Sequence, residues 1–312
     1  MSVTEDEITA WFAAQRPLSP DRFPIGIGDD MAQVALAEGA SVLITTDMLL
    51  EGTHFDLAVA TLEQVGYKSM ATSLSDCAAM ATIPLAAVVA VALPQGFGES
   101  RLKQLHAGIV RAGDRYNCPL IGGDITTWRQ GGRLAVSVAM LSKPAGHAAV
   151  TRAGAKVGDV ICVTGSLGGS GRGKHLDFTP RVQEALTLAR TVDVHAMMDI
   201  SDGLSTDLNR ICAQSRVGAL VDAASIPVSA AALNEPDPLA AALDEGEDFE
   251  LLFVLSPDGW EELRRSWSGL VPVTAIGSIT EGRGMQIAMP DGGGVELKPG
   301  GYEHLREEQR DT

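Results

Sequence analysis

The sequence predicts a mixed α/β protein of two domains, and three observations carry that expectation. Short apolar runs of strand character alternate with longer stretches of helical periodicity along the whole chain. The length, 312 residues, suits about two domains. From residue 143 the texture changes: "KPAGHAAVTRAGAKVGD" is rich in Gly and Ala and has little periodicity, which marks a junction. The expected domains are therefore 1–142 and 143–312.

Thr4 and Glu7 form a capping-box pattern opening a short helix, with Ile8, Trp11 and Phe12 on one face. "IGIGDD" (25–30) is a glycine-spaced turn ending in the adjacent carboxylates Asp29 and Asp30. "SVLITTDML" (41–49) reads as a strand with Asp47 at its end, and 61–81 as a long helix. On that helix Lys68, Thr72 and Asp76 recur every fourth residue and share a face. "LAAVVAVAL" (85–93) is a buried strand, followed by a helix over 100–116. "PLIGGD" (119–124) reads as a strand entering a glycine turn with Asp124 at its tip, before the strand 133–141.

In the second half "VICVTG" (160–165) is a strand followed by a glycine loop. Thr179 and Pro180 supply the N-cap and first position of a helix. "AMMDI" (196–200) is a strand ending in Asp199, and the next helix turns Leu204, Leu208 and Ile211 inward. "GALVDA", a Pro-rich stretch around 227–238, "EDFELLFVLS", a helix at 257–267 and strands near 271–279 and 285–297 complete the chain.

A formal net charge of −16 argues against nucleic acid and anionic membranes as partners. The longest apolar run has nine residues, far short of a membrane span, and the acidic N-terminus is no signal peptide. Cys77, Cys118, Cys162 and Cys212 show no CxxC pairing and read as reduced thiols of a cytoplasmic protein. So acidic a chain binds phosphates only where metal cations intervene.

The carboxylates Asp30, Asp47, Asp76, Asp124, Asp199 and Asp202 supply the candidate chemistry. Singly each is a cap or a turn residue. All but Asp76 are expected where a strand meets a turn, which suggests convergence on one mouth of a sheet. Clustered aspartates cannot all ionise without cations, and Mg²⁺ takes oxygen ligands that it shares with substrate phosphates. Thr45 and Thr46 would add hydroxyl oxygens to that shell. "GGSGRGKH" (168–175) fails as a P-loop, because His175 stands where the motif needs Ser or Thr, and reads as a flexible loop. Lys68 either reaches a phosphate or sits on a wet helix face, the reading slightly favoured. His54 is a packing residue or a substrate contact, and Cys77 has no paired base and is structural. The acidic run "DEGEDFELLF" (244–253) is a solvated loop or a grip for a cationic substrate.

The stretches "GIGDD", "TTDMLLEGTHF", "KSMATSLSDCAAM", "LIGGDIT", "RAGAKVGD", "VTGSLGGS", "MDISDGLSTDL" and "GEDFELLF" follow one another from residue 22 to the "GGY" at 300–302. In that order the chain resembles the thiamine-monophosphate kinase family of the aminoimidazole ribonucleotide synthetase superfamily. The resemblance implies ATP-dependent phosphorylation of thiamine monophosphate to thiamine diphosphate, with several Mg²⁺ ions bridging aspartates and polyphosphate. It implies metal ligands at Asp30, Thr45, Thr46, Asp47, Asp76, Asp124, Asp199 and Asp202. ATP contacts would come from Gly123, Asp124, Arg152 and Ser201, with Tyr116 near the nucleotide. His54, Glu247 and Tyr302 would face the thiamine moiety. The implied fold is an N-terminal α/β domain lending strands to a dimeric β-barrel, with a C-terminal α/β domain closing over the nucleotide. Two departures stand out: Glu245 replaces a family glycine, and the loop 165–174 is richer in glycine and carries Arg172 and Lys174. Sister enzymes of the superfamily, such as the purine-pathway cyclase or selenophosphate synthetase, are the nearest rivals. No cysteine precedes Cys77, which disfavours the selenium enzyme. A non-catalytic calcium-binding module lacks the EF-hand spacing.

Overall fold

The computed structural model describes residues 19–36, 39–269 and 271–305, with the single positions 4, 7, 10 and 14 ahead of them. Thr4 and Glu7 exchange the two capping-box bonds, Thr4 N–H to Glu7 Oε2 at 2.8 Å and Glu7 N–H to Thr4 Oγ1 at 3.2 Å. Ile8, Trp11 and Phe12 lie outside the described residues.

The first sheet holds β1 (Ala32–Ala35), β2 (Ser41–Leu50), β3 (Thr82–Leu93), β4 (Leu120–Thr127) and β5 (Ala135–Pro144) in the order β1-β2-β5-β3-β4. Every pairing is antiparallel except β3 with β4. Period-two alternation sorts β2 by face. Leu43, Thr45, Asp47 and Leu49 turn inward, while Ile44, Met48 and Leu50 are exposed on the outer face. Helix α1 (Leu62–Ala79) lies against the inner face, begun by a Thr61–Gln64 capping box. It is buried on almost every side, since the sheet, helix α2 (Glu99–Asp114) and the second domain all pack on it.

The crossing of α1 and α2 is made by two glycines. A Cβ on Gly108 would stand 1.9 Å from the Glu63 carbonyl oxygen, and one on Gly66 would stand 2.0 Å from that of Leu105. The helices therefore meet backbone to backbone.

The second sheet has seven strands: β6 (Val160–Thr164), β7 (Val194–Asp199), β8 (Gly218–Asp222), β9 (Leu251–Leu255), β10 (Val273–Thr280), β11 (Gly284–Ala288) and β12 (Gly294–Leu297). Their order is β12-β11-β8-β10-β6-β9-β7, with only β8 and β11 parallel. Around it lie α3 (Lys174–Asp177), α4 (Val182–Thr191), α5 (Leu204–Ser215), α6 (Pro238–Asp244) and α7 (Pro257–Ser266). One core runs from the first sheet through α1 to α4 and to Phe253 and Leu255 of β9. A second packs α5 (Leu204, Leu208, Ile211) against Val254 and Ile276. Both sheets are open. Among the described residues no helix is long and apolar enough to cross a membrane.

Three local expectations are corrected. "PLIGGD" does not turn at its glycines, because β4 runs on to Thr127 with Asp124 inside it. Gly123 serves close approach instead, since a Cβ there would stand 2.0 Å from the Val89 carbonyl of β3. Helix α4 starts at Val182 rather than at Thr179 and Pro180, because the Pro180 carbonyl accepts the Tyr116 hydroxyl at 2.7 Å. The glycine loop is anchored rather than loose, with a 3₁₀ turn at Ser170–Arg172 followed by α3. Lys174 pairs there with Asp248 at 3.3 Å and Glu250 at 3.2 Å.

Candidate active site

Three predicted aspartates meet. Asp30 from the 25–30 turn, Asp76 from α1 and Asp199 from the end of β7 offer carboxylate oxygens within 4.8 Å of one another. Serine and threonine hydroxyls aim them. Thr45 donates to Asp76, Ser73 to Asp47, and Ser75 to Asp199 at 2.5 Å. Arg152 grips Asp30 through Nε at 3.0 Å and Nη2 at 2.7 Å, and its backbone N–H donates to Asp29 at 2.8 Å. Asp29 thus braces the turn.

Electrostatics make the cluster expensive. Burial, then the charges of neighbouring carboxylates, push Asp76 and Asp199 well above the usual carboxylate range. Burial and Asp30 raise Asp47 to about 6. Hard oxygen donors held this close, and unable to share the cavity as free anions, suit a divalent cation such as Mg²⁺.

Other residues fall differently from their sequence reading. Asp47 lies inside β2 rather than at its end, facing α1. Thr46 is on the opposite face of β2 from Thr45 and donates to the Val138 carbonyl at 3.0 Å, so strand alternation takes its hydroxyl out of the shell. Asp124 is exposed on edge strand β4, in a row running Met48, Ser137, Ala90, Asp124 across four strands. That is three interstrand spacings, about 14 Å, and the outer face of the sheet. Within one chain Asp124 and Gly123 are not brought to the cluster. Asp202 follows β7 and bonds Arg210 Nη1 at 2.5 Å. Tyr116 is buried with its hydroxyl on Pro180 and lines neither cavity described next.

Two cavities share Ser201 and Asp202, the residues just after Asp199 and Ile200 at the end of β7. One, of about 720 Å³, is lined by Gly28, Asp29, Arg152 and Arg210. The other, of about 340 Å³, is lined by Asp47, His54, Glu247 and Tyr302. In the second, His54 accepts the Leu50 N–H on Nδ1 at 3.0 Å, and burial lowers its pKa. The Tyr302 and His304 rings meet edge-on at 4.7 Å, with His54 5.6 Å from His304. Glu247 and Phe249 hold left-handed backbone angles, φ 54° and 50°, in the turn entering β9.

Several functional features were missed in the sequence. Lys68 is not on a wet face but 1% exposed in the smaller cavity wall. Its signal was present, two turns before Asp76 on one helix face. His304 and Phe249 also line that cavity and carried no signal. The acidic run is not a solvated loop either: Asp248 and Glu250 are buried, and Arg181 binds Glu250 through Nε and Nη2, both at 2.7 Å. Glu245, where the family has glycine, has φ −68°, which any residue adopts, and its carboxylate accepts the Gly169 N–H. The departure ties the glycine loop to this turn.

Comparison with known proteins gives the family. Residues 28–143 match the AIR synthase related protein N-terminal domain, and 156–289 the AIR synthase related protein C-terminal domain. A thiamine-monophosphate kinase of Methanospirillum hungatei is 38% identical over 88% of this chain and 92% of its own. One from Rhodopirellula baltica is 36% identical over 90% of this chain and 91% of its own. Among solved structures, AaThiL complexed with AMPPCP and TMP superposes with a TM-score of 0.81 at 28% identity, covering 96% of this chain and 97% of its own. The chain belongs to the thiamine-monophosphate kinase family of the AIR synthase related proteins.

Proposed function

We propose that the chain transfers the γ-phosphoryl group of ATP to thiamine monophosphate, giving thiamine diphosphate and ADP. The carrying observation is that two cavities share Ser201 and Asp202, one lined by Arg152, which grips Asp30 of the cluster, and the other by Asp47, whose charge acts on Asp76, as a transfer between two bound anions requires. The larger cavity, with Arg152 and Ser201, takes the nucleotide. The smaller takes the acceptor between His54, Glu247 and Tyr302. AaThiL, which is similar to this chain, carries AMPPCP and TMP.

Asp30, Asp47, Asp76, Asp199 and Asp202, with Thr45 orienting Asp76, would hold Mg²⁺. Bound Mg²⁺ supplies neutralisation of the phosphate charges. Two unit charges 4 Å apart repel by about 4 kcal/mol at an effective dielectric of 20, so several such pairs keep the substrates apart otherwise. The acceptor phosphate has a second pKa near 6 and is largely a nucleophilic dianion at pH 7. No general base is needed, and the protein's task is to position both anions for in-line attack.

Two copies are proposed to join through the outer face of the first sheet, closing a barrel. Ile44, Met48, Leu50 and Val88 form an exposed apolar surface there. In that pairing Asp124 and Gly123 serve the partner subunit's metal and nucleotide site. We place the domain boundary at 142–143 and the protein in the cytoplasm, where its four free thiols stay reduced.

The test is ADP release with Mg²⁺ and ATP, comparing thiamine monophosphate, unphosphorylated thiamine and no acceptor. Release only with the monophosphate is expected. Equal release in all three would refute a phosphate acceptor, and none would move the function to a sister enzyme.

A further inference from the structure

Lys68 raises a question that the metal site and the nucleotide site leave open. A lysine on a helix that is buried on nearly every side is costly, because an unpaired ammonium loses its hydration. Here the ammonium bonds two groups. It donates to the His54 carbonyl oxygen at 2.6 Å and to Glu247 Oε1 at 2.5 Å. Both residues line the smaller cavity, one from the turn after β2 and one from the turn before β9.

Glu247 is held from two directions. Its backbone, at φ 54°, is fixed by its N–H donating to the Ser201 carbonyl at 2.7 Å. Its carboxylate is fixed by Lys68, while the side chain keeps 32% exposure. The helix that carries Lys68 also carries Asp76, eight residues on. At 1.5 Å rise per residue the two lie about 12 Å apart along one rigid axis. A single helix therefore carries both Asp76 of the cluster and the lysine that holds Glu247 in the cavity wall.

We propose that Lys68 is a positioning residue for the acceptor: it locks Glu247 and the His54 turn so that a cationic aromatic acceptor is held in register with the carboxylate cluster. This rests on the assignment of His54 and Glu247 to the acceptor. Lys68 touches no reacting atom; it acts through Glu247.

The test is steady-state kinetics of the full chain, with thiamine monophosphate and ATP varied independently. The proteins are the wild type, Lys68→Met, Glu247→Gln and the double variant. Lys68→Met is expected to raise KM for thiamine monophosphate by about 30-fold or more, as removal of one partner of a buried ion pair does, while KM for ATP stays within about twofold. Glu247→Gln, which leaves the lysine in place, raises the same KM. In the Glu247→Gln background the Lys68→Met effect largely vanishes, because the group through which it acts is gone. Should Lys68→Met fail to fold, Lys68→Gln replaces it, keeping a donor without the charge. Equal rises in both KM values, an unchanged KM for the acceptor, or effects that multiply in the double variant would overturn the positioning role. A wild type inactive with thiamine monophosphate would overturn the proposed function, and this inference with it.

Discussion

Asp47, Asp76 and Asp199 pay for their place in stability, and their neighbours explain why. Burial raises Asp47 from 3.8 to about 6. A carboxyl raised in the folded state favours folding below its unfolded pKa, and that contribution is lost as pH rises through about 6. Asn mimics the protonated form. In a chelator, Asp47→Asn should match the wild type in stability near pH 4. Well above pH 6 it should exceed it by about 3 kcal/mol, one pKa unit being worth about 1.4 kcal/mol. Urea denaturation at the two pH values reads this, and equal differences at both would contradict it. The residue types of the site were legible because carboxylates recur beside turns and in α1. Their geometry was only partly so. Period two alone separates Thr45 from Thr46 once β2 is a regular strand, whereas a continuous β4 carrying Asp124 needs the β3 partner that Gly123 approaches.

Helix α1 is the element that joins fold to site. It was readable from its periodicity and its cap, but not its all-round burial, which depends on two sheets and α2. The α1–α2 contact predicts a sharp sensitivity. Gly108→Ala places a methyl 1.9 Å from the Glu63 carbonyl, so the helices must separate. The expected loss is about 1–3 kcal/mol by overpacking, visible as a lower urea midpoint. Unchanged stability would mean that the helices do not meet there. Elsewhere the local signals lost to long-range partners. Thr179 and Pro180 are good helix starters, yet Tyr116 takes the Pro180 carbonyl and Glu250 takes the Arg181 side chain at the true N-cap. The glycine loop looked loose because Lys174 finds Asp248 and Glu250 from more than seventy residues away.

At the scale of the molecule, the alternation of strands and helices was legible, and the two open sheets follow from it. The use of the first sheet's outer face is not legible in the sequence. That face exposes Ile44, Met48, Leu50 and Val88, and Asp124 lies there rather than at the cluster. If two copies share sites, mixing Asp76→Asn subunits with Asp124→Asn subunits restores activity that neither has alone. Half the dimers are then mixed, each with one intact site, so about a quarter of wild-type turnover returns. No recovery after subunit exchange would place Asp124 outside the partner's site.

The central claim is that phosphoryl transfer to thiamine monophosphate takes place at the Asp30, Asp76 and Asp199 cluster. The most direct measurement follows γ-labelled ATP into product with Mg²⁺ and thiamine monophosphate, for the wild type and Asp76→Asn. Label entering thiamine diphosphate with the wild type, and at least about 100-fold slower with a folded Asp76→Asn, is the predicted result. Label released only as inorganic phosphate, or an Asp76→Asn rate close to wild type, would contradict it.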